Sequence, residues 1–341
     1  VGDRPRDPAA DDLRPGHRHS NSRRHRPDAA WVRPRPPDRH CGVHEPRTGA
    51  RRLGGWPLRP VRACRHRLGA AGWHVAGNEK TVKSFTREDF VKYCGEHYVA
   101  SATTVVVAGS FDEASTLTKI EKAFAHIATS APLPKVAVVE SQAEPRALVQ
   151  YKETDQAHLV LGFRSYGARS AQDPALTVLS GILGKGMSSR LFQKLREEMG
   201  VGYYIYASHD AYTDHGIFSI SAGVDTARFE EVIAVLLAEC KKLVDEKVQV
   251  DELKKVKDYL TGSFVLGLET SDSRAEFAAI NRILKGEIVA PEDEISDIQK
   301  VTAEEVQAIA REIFVEKHMN LAVIGPYKDT EKILPLLAFK K

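Results

Sequence analysis

The sequence predicts an α+β fold, in which an antiparallel-rich sheet is covered by helices and two related units follow each other, the first of them incomplete. Three observations predict it. Short β-branched runs come first, a series of amphipathic helices follows, and a last apolar run returns to the sheet. A capped helix, an apolar run and a glycine occur twice, as an internal repeat. The first 75 residues, by contrast, lack the composition of a folded domain.

Residues 1–75 differ in composition from the rest of the chain. They hold 17 Arg, no Lys and seven acidic residues, a net charge of +10, whereas residues 76–341 have a net charge of −7. They also hold 10 of the 17 Pro and no Ile, Phe or Tyr. Such a segment cannot bury enough apolar surface to offset the entropy that is lost on folding. We therefore expect the folded part of the chain after residue 75.

Three interpretations of residues 1–75 stay open. A disordered arginine-rich arm would bind nucleic acid by neutralising phosphates, but such arms usually mix Lys with Arg. A disordered extension without a role is the second interpretation. The third is a translation of GC-rich DNA in a wrong reading frame, which yields Arg, Pro, Ala, Gly and His without Lys, Ile, Phe or Tyr. The composition fits the third best, and we expect no nucleic-acid partner.

The chain lacks the signals of several protein classes. No stretch approaches the ~18–20 consecutive apolar residues of a membrane-spanning helix, and no apolar segment follows a basic start as in a secretory signal. The four cysteines form no CxxC pair, which excludes a zinc-finger spacing and a disulfide framework. We expect a soluble protein without a membrane span, in the cytoplasm or the periplasm.

Residues 76–128 are predicted to be the end of a first unit. Thr86 can cap an amphipathic helix that begins at 86–89 and has Phe90, Val91 and Tyr98 as its apolar contacts. The β-branched run 103–109 is predicted to be a buried strand, because it is continuously apolar and closed by glycine. A second helix is expected over about 112–127.

Residues 129–145, which contain two prolines and show little periodicity, are predicted to be a linker. A complete second unit follows at 146–330, and a tail at 331–341. Four helices are expected between its last two strands, and the last of them begins at a capping box. Its strands are predicted at 147–151, 158–163, 202–207, 216–222 and 320–324, and helices at about 173–183, 188–199, 226–246 and 250–268.

The two units are predicted to end in the same way. The sequence FTREDF…VVVAG at 85–109 matches VTAEEV…LAVIG at 301–325 in the order cap, helix, apolar run and glycine. The strands and helices that precede this ending in the second unit have no counterpart in the first. We therefore expect an internal repeat whose first copy has lost its front.

The chemically most informative stretch is 181–204, GILGKGMSSRLFQKLREEMGVGYY. It is not a phosphate-binding loop, because the glycine and the Lys-Ser/Thr positions of GxxxxGK[ST] do not occur together. Gly184 and Gly186 are instead expected to give a tight, conformationally permissive turn. This turn leads into the helix that begins near Ser188.

This stretch resembles the second-domain signature of the pitrilysin/insulinase family of zinc metallopeptidases, which includes mitochondrial processing peptidase. The matching positions are LGxGMSSRLFQxLRExxGxxY, and the resemblance extends over about 72–330. It implies duplicated α/β sandwich domains that pair around a chamber for a peptide. It also implies that Arg196 and Tyr203 contact the peptide substrate near the scissile bond. An Arg fork and a Tyr hydroxyl are donors that suit the oxygen atoms of a peptide.

The resemblance also implies a zinc site that the sequence lacks. First domains of this family carry the zinc motif HxxEH and a further Glu ligand, and a hydrolytic zinc needs three protein ligands and a base. No HxxEH occurs in the chain. His44-Glu45 is followed by proline where the second His of the motif should stand, and Glu96-His97 has Tyr93 at the position of the first His. The histidines at 209 and 215 are expected to be solvated turn residues. We therefore expect no metal ligand and no cofactor bound by this chain.

These observations predict a pitrilysin/insulinase-like zinc peptidase homologue that keeps the peptide-binding second domain and is inactive alone. The expected partners are a peptide substrate and, in a homodimer or heterodimer, a second copy or a zinc-bearing homologue. Two alternatives stay open: a non-catalytic subunit that completes the site of a zinc-bearing partner, and a structural core subunit of a respiratory complex. The presence of both Arg196 and Tyr203 favours the peptidase-related interpretations.

Overall fold

The computed structural model describes residues 75–339 of the chain, and a mixed sheet organises the part from residue 146 onward. Expectations about residues 1–74 lie outside the described residues. The five strands follow the order β1-β5-β2-β4-β3, and only β1 and β5 are parallel. The antiparallel-rich sheet is therefore confirmed. The strands are β1 Arg146–Tyr151, β2 Gln156–Ser165, β3 Gly202–Ala211, β4 Gly216–Asp225 and β5 Asn320–Gly325.

Helices precede the sheet and fill the long connections within it. A π-helix, Phe192–Glu198, lies between α4 and β3. The α-helices are α1 Glu79–Ser84, α2 Arg87–His97, α3 Glu113–Phe124, α4 Asp173–Gly184, α5 Phe229–Asp245, α6 Val250–Gly267, α7 Ser271–Leu284, α8 Pro291–Lys300, α9 Ala303–Ile313 and α10 Thr330–Ile333.

Between β4 and β5, a stretch that is described throughout, there are five α-helices, so the expected four is wrong. The boundaries of α7 and α8 explain the difference. The Thr270 hydroxyl accepts a hydrogen bond from the backbone N–H of Ser273 and starts α7. Gly286, with a φ of 90°, follows the end of α7, and Pro291 occupies the first turn of α8. The cap, the glycine and the proline mark two separate helices in a region where the apolar periodicity alone does not separate them.

The core lies between one face of the sheet and the helices α4, α5 and α9. Phe163 of β2 and Phe218 of β4 are fully buried, and both pack edge to face against Phe314, at centroid distances of 5.0 and 5.4 Å. Burying a side chain of this size contributes about 1.5–3 kcal/mol. The predicted helical layer over the sheet is therefore confirmed, and it holds the strands that carry the candidate site.

The predicted linker is tied to one end of this sheet. Lys135 Nζ donates to Asp214 Oδ1 at 2.8 Å, and this bond holds the pKa of the Asp214 carboxyl well below its usual range. Gln142 is 6% exposed, and its Nε2 donates to Met319 O at 2.9 Å. Its Oε1 accepts from Asn320 Nδ2, also at 2.9 Å. The segment is thus anchored to the second unit, although it has no regular secondary structure.

The helices α2 and α9 have the same local structure, as the internal repeat predicts. Each has 11 residues and begins at a threonine, Thr86 or Thr302, that forms a capping box with an acidic residue. After the same interval, each is followed by a three-residue 3₁₀-helix. Shared cap, length and continuation indicate two copies of one element.

The predicted buried strand at 103–109 is wrong. This run is extended, but it pairs with no strand in the described part of the chain, and Val105 and Val107 are exposed. The equivalent run of the second unit, β5, lies between β1 and β2 and takes hydrogen bonds from both. A β-branched run becomes a strand only where neighbours satisfy its backbone, and the described residues offer 103–109 none.

Candidate functional site

A tight turn connects α4 to the helical segment that carries Arg196. Gly184 lies so close to β3 that a Cβ atom would stand 2.2 Å from the backbone nitrogen of Ala207. Gly186 has a φ of 83°, in the left-handed region that favours glycine, and packs below the ring of Tyr259. The two glycines thus have different roles: Gly184 permits close packing, and Gly186 permits the turn.

Arg196 lies in a π-helix, whereas the sequence predicts a regular helix over 188–199. The N–H of Met199 donates to Lys194 O at 3.1 Å, one residue further back than in an α-helix. The N–H of Val201 donates to Leu195 O at 3.0 Å and ends the segment. A π-helical turn accommodates one extra residue, and such turns are frequent at functional sites. Here it determines the direction in which Arg196 leaves the helix.

Arg190 fixes the start of this segment against α6. Its Nε and Nη2 donate to the two carboxylate oxygens of Glu252 at 2.8 and 2.7 Å, and these bonds raise the pKa of the guanidinium. Both side chains are partly buried, so this bidentate ion pair fixes the orientation of the helix and also stabilises the fold. The sequence gives no sign of this pair, because its partners lie 62 residues apart.

The structure brings Arg196 next to the backbone that precedes Tyr203. Arg196 Nη1 donates to Gly202 O at 2.7 Å. Between Gly202 and Tyr204 the register of β3 against β4 shifts, so that Tyr203 has no partner residue in β4 and is the extra residue of a β-bulge. Bulges redirect side chains next to functional sites. Tyr203 is 55% exposed, and its hydroxyl is therefore accessible to a ligand.

Tyr204 anchors the residue after the bulge. Its ring stacks on His158 of β2 at 5.9 Å, and its hydroxyl lies 3.1 Å from His158 Nδ1. Gly223 of β4 makes room for this ring, since a Cβ there would stand 2.4 Å from Tyr204 Cε1. Burial raises the pKa of Tyr204 to about 12 and lowers the pKa of His158. The neutral pair therefore holds β3 at the point where Tyr203 projects.

The geometry supplies two hydrogen-bond donors of different kinds. The guanidinium of Arg196 has five N–H donors, so the bond to Gly202 leaves others for a ligand. The Tyr203 hydroxyl is a neutral donor, which suits an oxygen that gains negative charge. Together they can hold carbonyl or carboxylate oxygens of a peptide. The bulge, the π-helix, Gly223 and His158 are the parts of this arrangement that sequence reasoning missed.

Residues 75–339 do not fit a zinc ion. Their His, Cys, Asp and Glu side chains form no group of three or more that could hold a metal. His209 and His215 are not the solvated turn residues that the sequence predicts: His209 lies on a strand, and the turn residue His215 has a side chain that is only 10% exposed. His209 lies on β3 with its side chain 2% exposed and its Nδ1 3.2 Å from Asp173 Oδ1. His215 Nδ1 lies 2.8 Å from Asp214 Oδ1. Both rings are held by aspartates within the fold.

No helix within 75–339 combines the length and the apolar character that a membrane span requires.

Curated relatives match most of the chain. An uncharacterized zinc protease of Bacillus subtilis (strain 168) is 30% identical over 255 residues, which cover 75% of this chain and 61% of the relative. An uncharacterized zinc protease of Streptomyces coelicolor is 29% identical over 268 residues, or 77% of this chain and 58% of the relative. The chain thus spans about three-fifths of the length of these relatives.

Solved structures share the fold at low sequence identity. A protease from Helicobacter pylori has a TM-score of 0.70 at 19% identity, with 78% of this chain and 65% of that chain covered. A peptidase M16 inactive domain from Pseudomonas fluorescens has a TM-score of 0.71 at 17% identity, with 80% of this chain and 66% of that chain covered. A chain of complex III2 from Candida albicans has a TM-score of 0.73 at 15% identity, with 82% of this chain and 69% of that chain covered.

The family model described as "Peptidase M16 inactive domain" matches residues 84–260, a stretch that contains the glycine turn, the π-helix and the bulged strand. Together with relatives that are named zinc proteases, this match confirms the resemblance drawn from the signature around Arg196. The chain belongs to the peptidase M16 inactive-domain family.

Proposed function

We propose that this chain binds a peptide through Arg196 and Tyr203 and presents it to a zinc site on another polypeptide. The observation that carries the proposal is the 2.7 Å bond from Arg196 to Gly202 O, next to the exposed Tyr203 on its bulge. The bond keeps the positively charged Arg196 guanidinium at Gly202, the residue before Tyr203, whose hydroxyl is a neutral donor. In the proposed role, Arg196 holds one oxygen of the peptide, and Tyr203 donates to a second.

The chain is inactive alone in this proposal. Its sequence has no HxxEH, and the described residues group no set of zinc ligands. Zinc-dependent peptidases activate a metal-bound water, and three protein ligands are needed to hold the metal. In this family a zinc-bearing polypeptide would therefore supply the metal, while the chain supplies binding and orientation.

A reconstitution experiment tests this proposal. The full chain is mixed with a zinc-bearing homologue from the same genome, and hydrolysis of a quenched fluorescent peptide is measured with and without a chelator. We expect hydrolysis by the mixture only, and its loss on chelation. Tyr203→Phe should lower turnover by roughly 10²-fold, as expected for the loss of one donor to a developing negative charge.

The matched control is Tyr206→Phe, because Tyr206 is an exposed tyrosine of the same strand outside the bulge. It should leave turnover unchanged. Chelator-sensitive hydrolysis by the chain alone would contradict the proposed division of roles. Equal effects of the two substitutions would contradict the role of Tyr203.

A structural role in a larger assembly is the second candidate function. The observation that favours it is the fold shared with a chain of complex III2 from Candida albicans. At 15% identity this likeness concerns the fold alone. A chain with only a structural role should bind no peptide, and Arg196→Ala should then lower its stability only by the loss of one partly buried hydrogen bond, about 1 kcal/mol.

A further inference from the structure

A second arginine holds the turn that connects Arg196 to Tyr203. Arg196 Nη1 donates to the last carbonyl of the turn 199–202, at 2.7 Å. Arg228 Nη1 donates to the first one, Met199 O, at 3.0 Å. The two guanidinium groups therefore fix carbonyls at opposite ends of the same turn, although they come from different elements of the chain.

The two carbonyls belong to peptide groups that adjoin glycines. Gly200 follows Met199 and has a φ of 67°, and a Cβ atom there would meet no atom within 4 Å. Gly202 precedes Tyr203, and between the glycines Val201 is 4% exposed and packs in the core. Because a glycine has no Cβ, it restricts its neighbouring peptide groups little. The hydrogen bonds to the two carbonyls therefore determine the path of the backbone from the core to Tyr203.

Arg228 is itself held in place on two sides. Its Nε and Nη2 donate to the two carboxylate oxygens of Glu231, each at 2.7 Å. The next residue, Phe229, is 2% exposed, and its ring packs against that of Tyr327 at a centroid distance of 4.7 Å. The carboxylate thus orients the planar guanidinium, and the core fixes the backbone beside it. Nη1 is left for Met199 O.

This arrangement contributes little to the overall stability of the chain. The side chains of Arg228 and Glu231 are 40% and 49% exposed. Ion pairs with this exposure are weak, because water and salt screen them. The effect of the pair is therefore local, and it limits the conformations of the turn 199–202. A local effect at this place concerns Arg196 and Tyr203, which lie on the two sides of the turn.

We infer that Arg228 is a positioning residue for the peptide site, and that it keeps Arg196 and Tyr203 in a fixed arrangement by fixing the turn between them. The inference rests on the proposed binding of a peptide by these two residues. The action of Arg228 is indirect, since it is exerted through Met199 O and not through the peptide. Glu231 supports it by orienting the guanidinium.

Hydrogen exchange of the full chain tests whether Arg228 holds the turn. The probe is the amide of Val201, which donates to Leu195 O at 3.0 Å and ends the π-helical segment. Arg228→Ala should accelerate its exchange by roughly fivefold or more, because the turn opens more often. Arg311→Ala is the control, since Arg311 Nε also donates to a backbone carbonyl, Val244 O at 3.0 Å, but between α9 and α5. It should leave the exchange of Val201 unchanged, and both variants should keep the urea midpoint of the parent chain.

Peptide binding tests whether the turn matters for the site. The probe is the labelled peptide of a library that the parent chain binds most tightly, and binding is measured by fluorescence anisotropy. Arg228→Ala should lower the affinity roughly fivefold, as expected for the loss of one hydrogen bond, and Arg311→Ala should bind like the parent. In the Arg196→Ala background, Arg228→Ala should cause less than about a twofold further loss, because the turn has already lost one of the two bonds that hold its ends.

Unchanged exchange at Val201 in Arg228→Ala would overturn the inference. Losses of affinity that multiply in the double variant, as they do at independent sites, would also overturn it. The same holds for equal effects of Arg228→Ala and Arg311→Ala. A failure of the proposed function looks different: the parent chain would bind no peptide, while Arg228→Ala would still accelerate exchange at Val201.

Discussion

Substitution of Gly223 by alanine tests whether the Tyr204 ring holds the bulge in place. In the structure, a Cβ atom at Gly223 would stand 2.4 Å from Tyr204 Cε1 and 2.8 Å from Cδ1. Carbon atoms pack at about 3.5–4.0 Å, so the ring must retreat by roughly 1 Å. Its hydroxyl is already 3.1 Å from His158 Nδ1, and a shift of this size breaks that hydrogen bond.

The expected cost of Gly223→Ala follows from these two effects. Overpacking of this kind costs about 1–3 kcal/mol, and the lost hydrogen bond adds about 1 kcal/mol. We therefore expect the free energy of unfolding to fall by about 2–4 kcal/mol. Tyr204→Phe, which keeps the ring and removes only the hydroxyl, should lower it by about 1 kcal/mol. Peptide affinity should fall with Gly223→Ala, because Tyr203 precedes the displaced residue.

Urea unfolding followed by circular dichroism measures these differences, with Gly262→Ala as the control. Gly262 lies within α6, and a Cβ there meets no atom within 4 Å. Alanine should therefore stabilise the chain by about 0.5–1 kcal/mol, because it is the better helix former. A Gly223→Ala protein within 0.5 kcal/mol of the parent would refute the packing argument.

Three further predictions concern the surroundings of the site. Gly184→Ala should destabilise the chain by about 1–3 kcal/mol in the same urea assay, because its Cβ would overlap the backbone of Ala207. Arg190→Ala should cost about 1–3 kcal/mol by leaving the partly buried Glu252 without its fork, and the double variant with Glu252→Gln should recover part of this loss. Burial lowers the pKa of His158, so the unfolded state takes up the proton first. Unfolding free energy should fall as the pH is lowered below about 6.5, and His158→Gln should flatten this fall.

The second unit could be predicted from the sequence because its signals are local. Alternating and β-branched runs mark the five strands, and Thr302 with Glu305 marks the start of α9. The cap at Thr86 is equally visible in the sequence, and α2 forms where it is expected, although its expected apolar contacts Phe90 and Tyr98 are exposed. The failure at 103–109 has a different origin. Burial of that run depends on strands elsewhere, and no local pattern shows whether they are present.

The sequence nominates the residues of the candidate site but does not predict the geometry around them. The signature around Arg196 marks it and Tyr203, yet the π-helix and the bulge depend on how the helix meets β3 and β4. The same holds for His209, whose partner Asp173 lies in α4. Hydrogen bonds between distant elements decide these features, and periodicity carries no information about them.

Peptide binding by the full chain tests the central claim most directly. Fluorescence anisotropy of a labelled peptide library, titrated with the parent chain and with Tyr203→Phe and Arg196→Ala, measures the contribution of each donor. The account predicts binding by the parent and a loss of about tenfold in affinity for each variant, since a hydrogen bond contributes about 1–1.5 kcal/mol. Unchanged affinity in both variants, or no peptide bound by the parent, would contradict it.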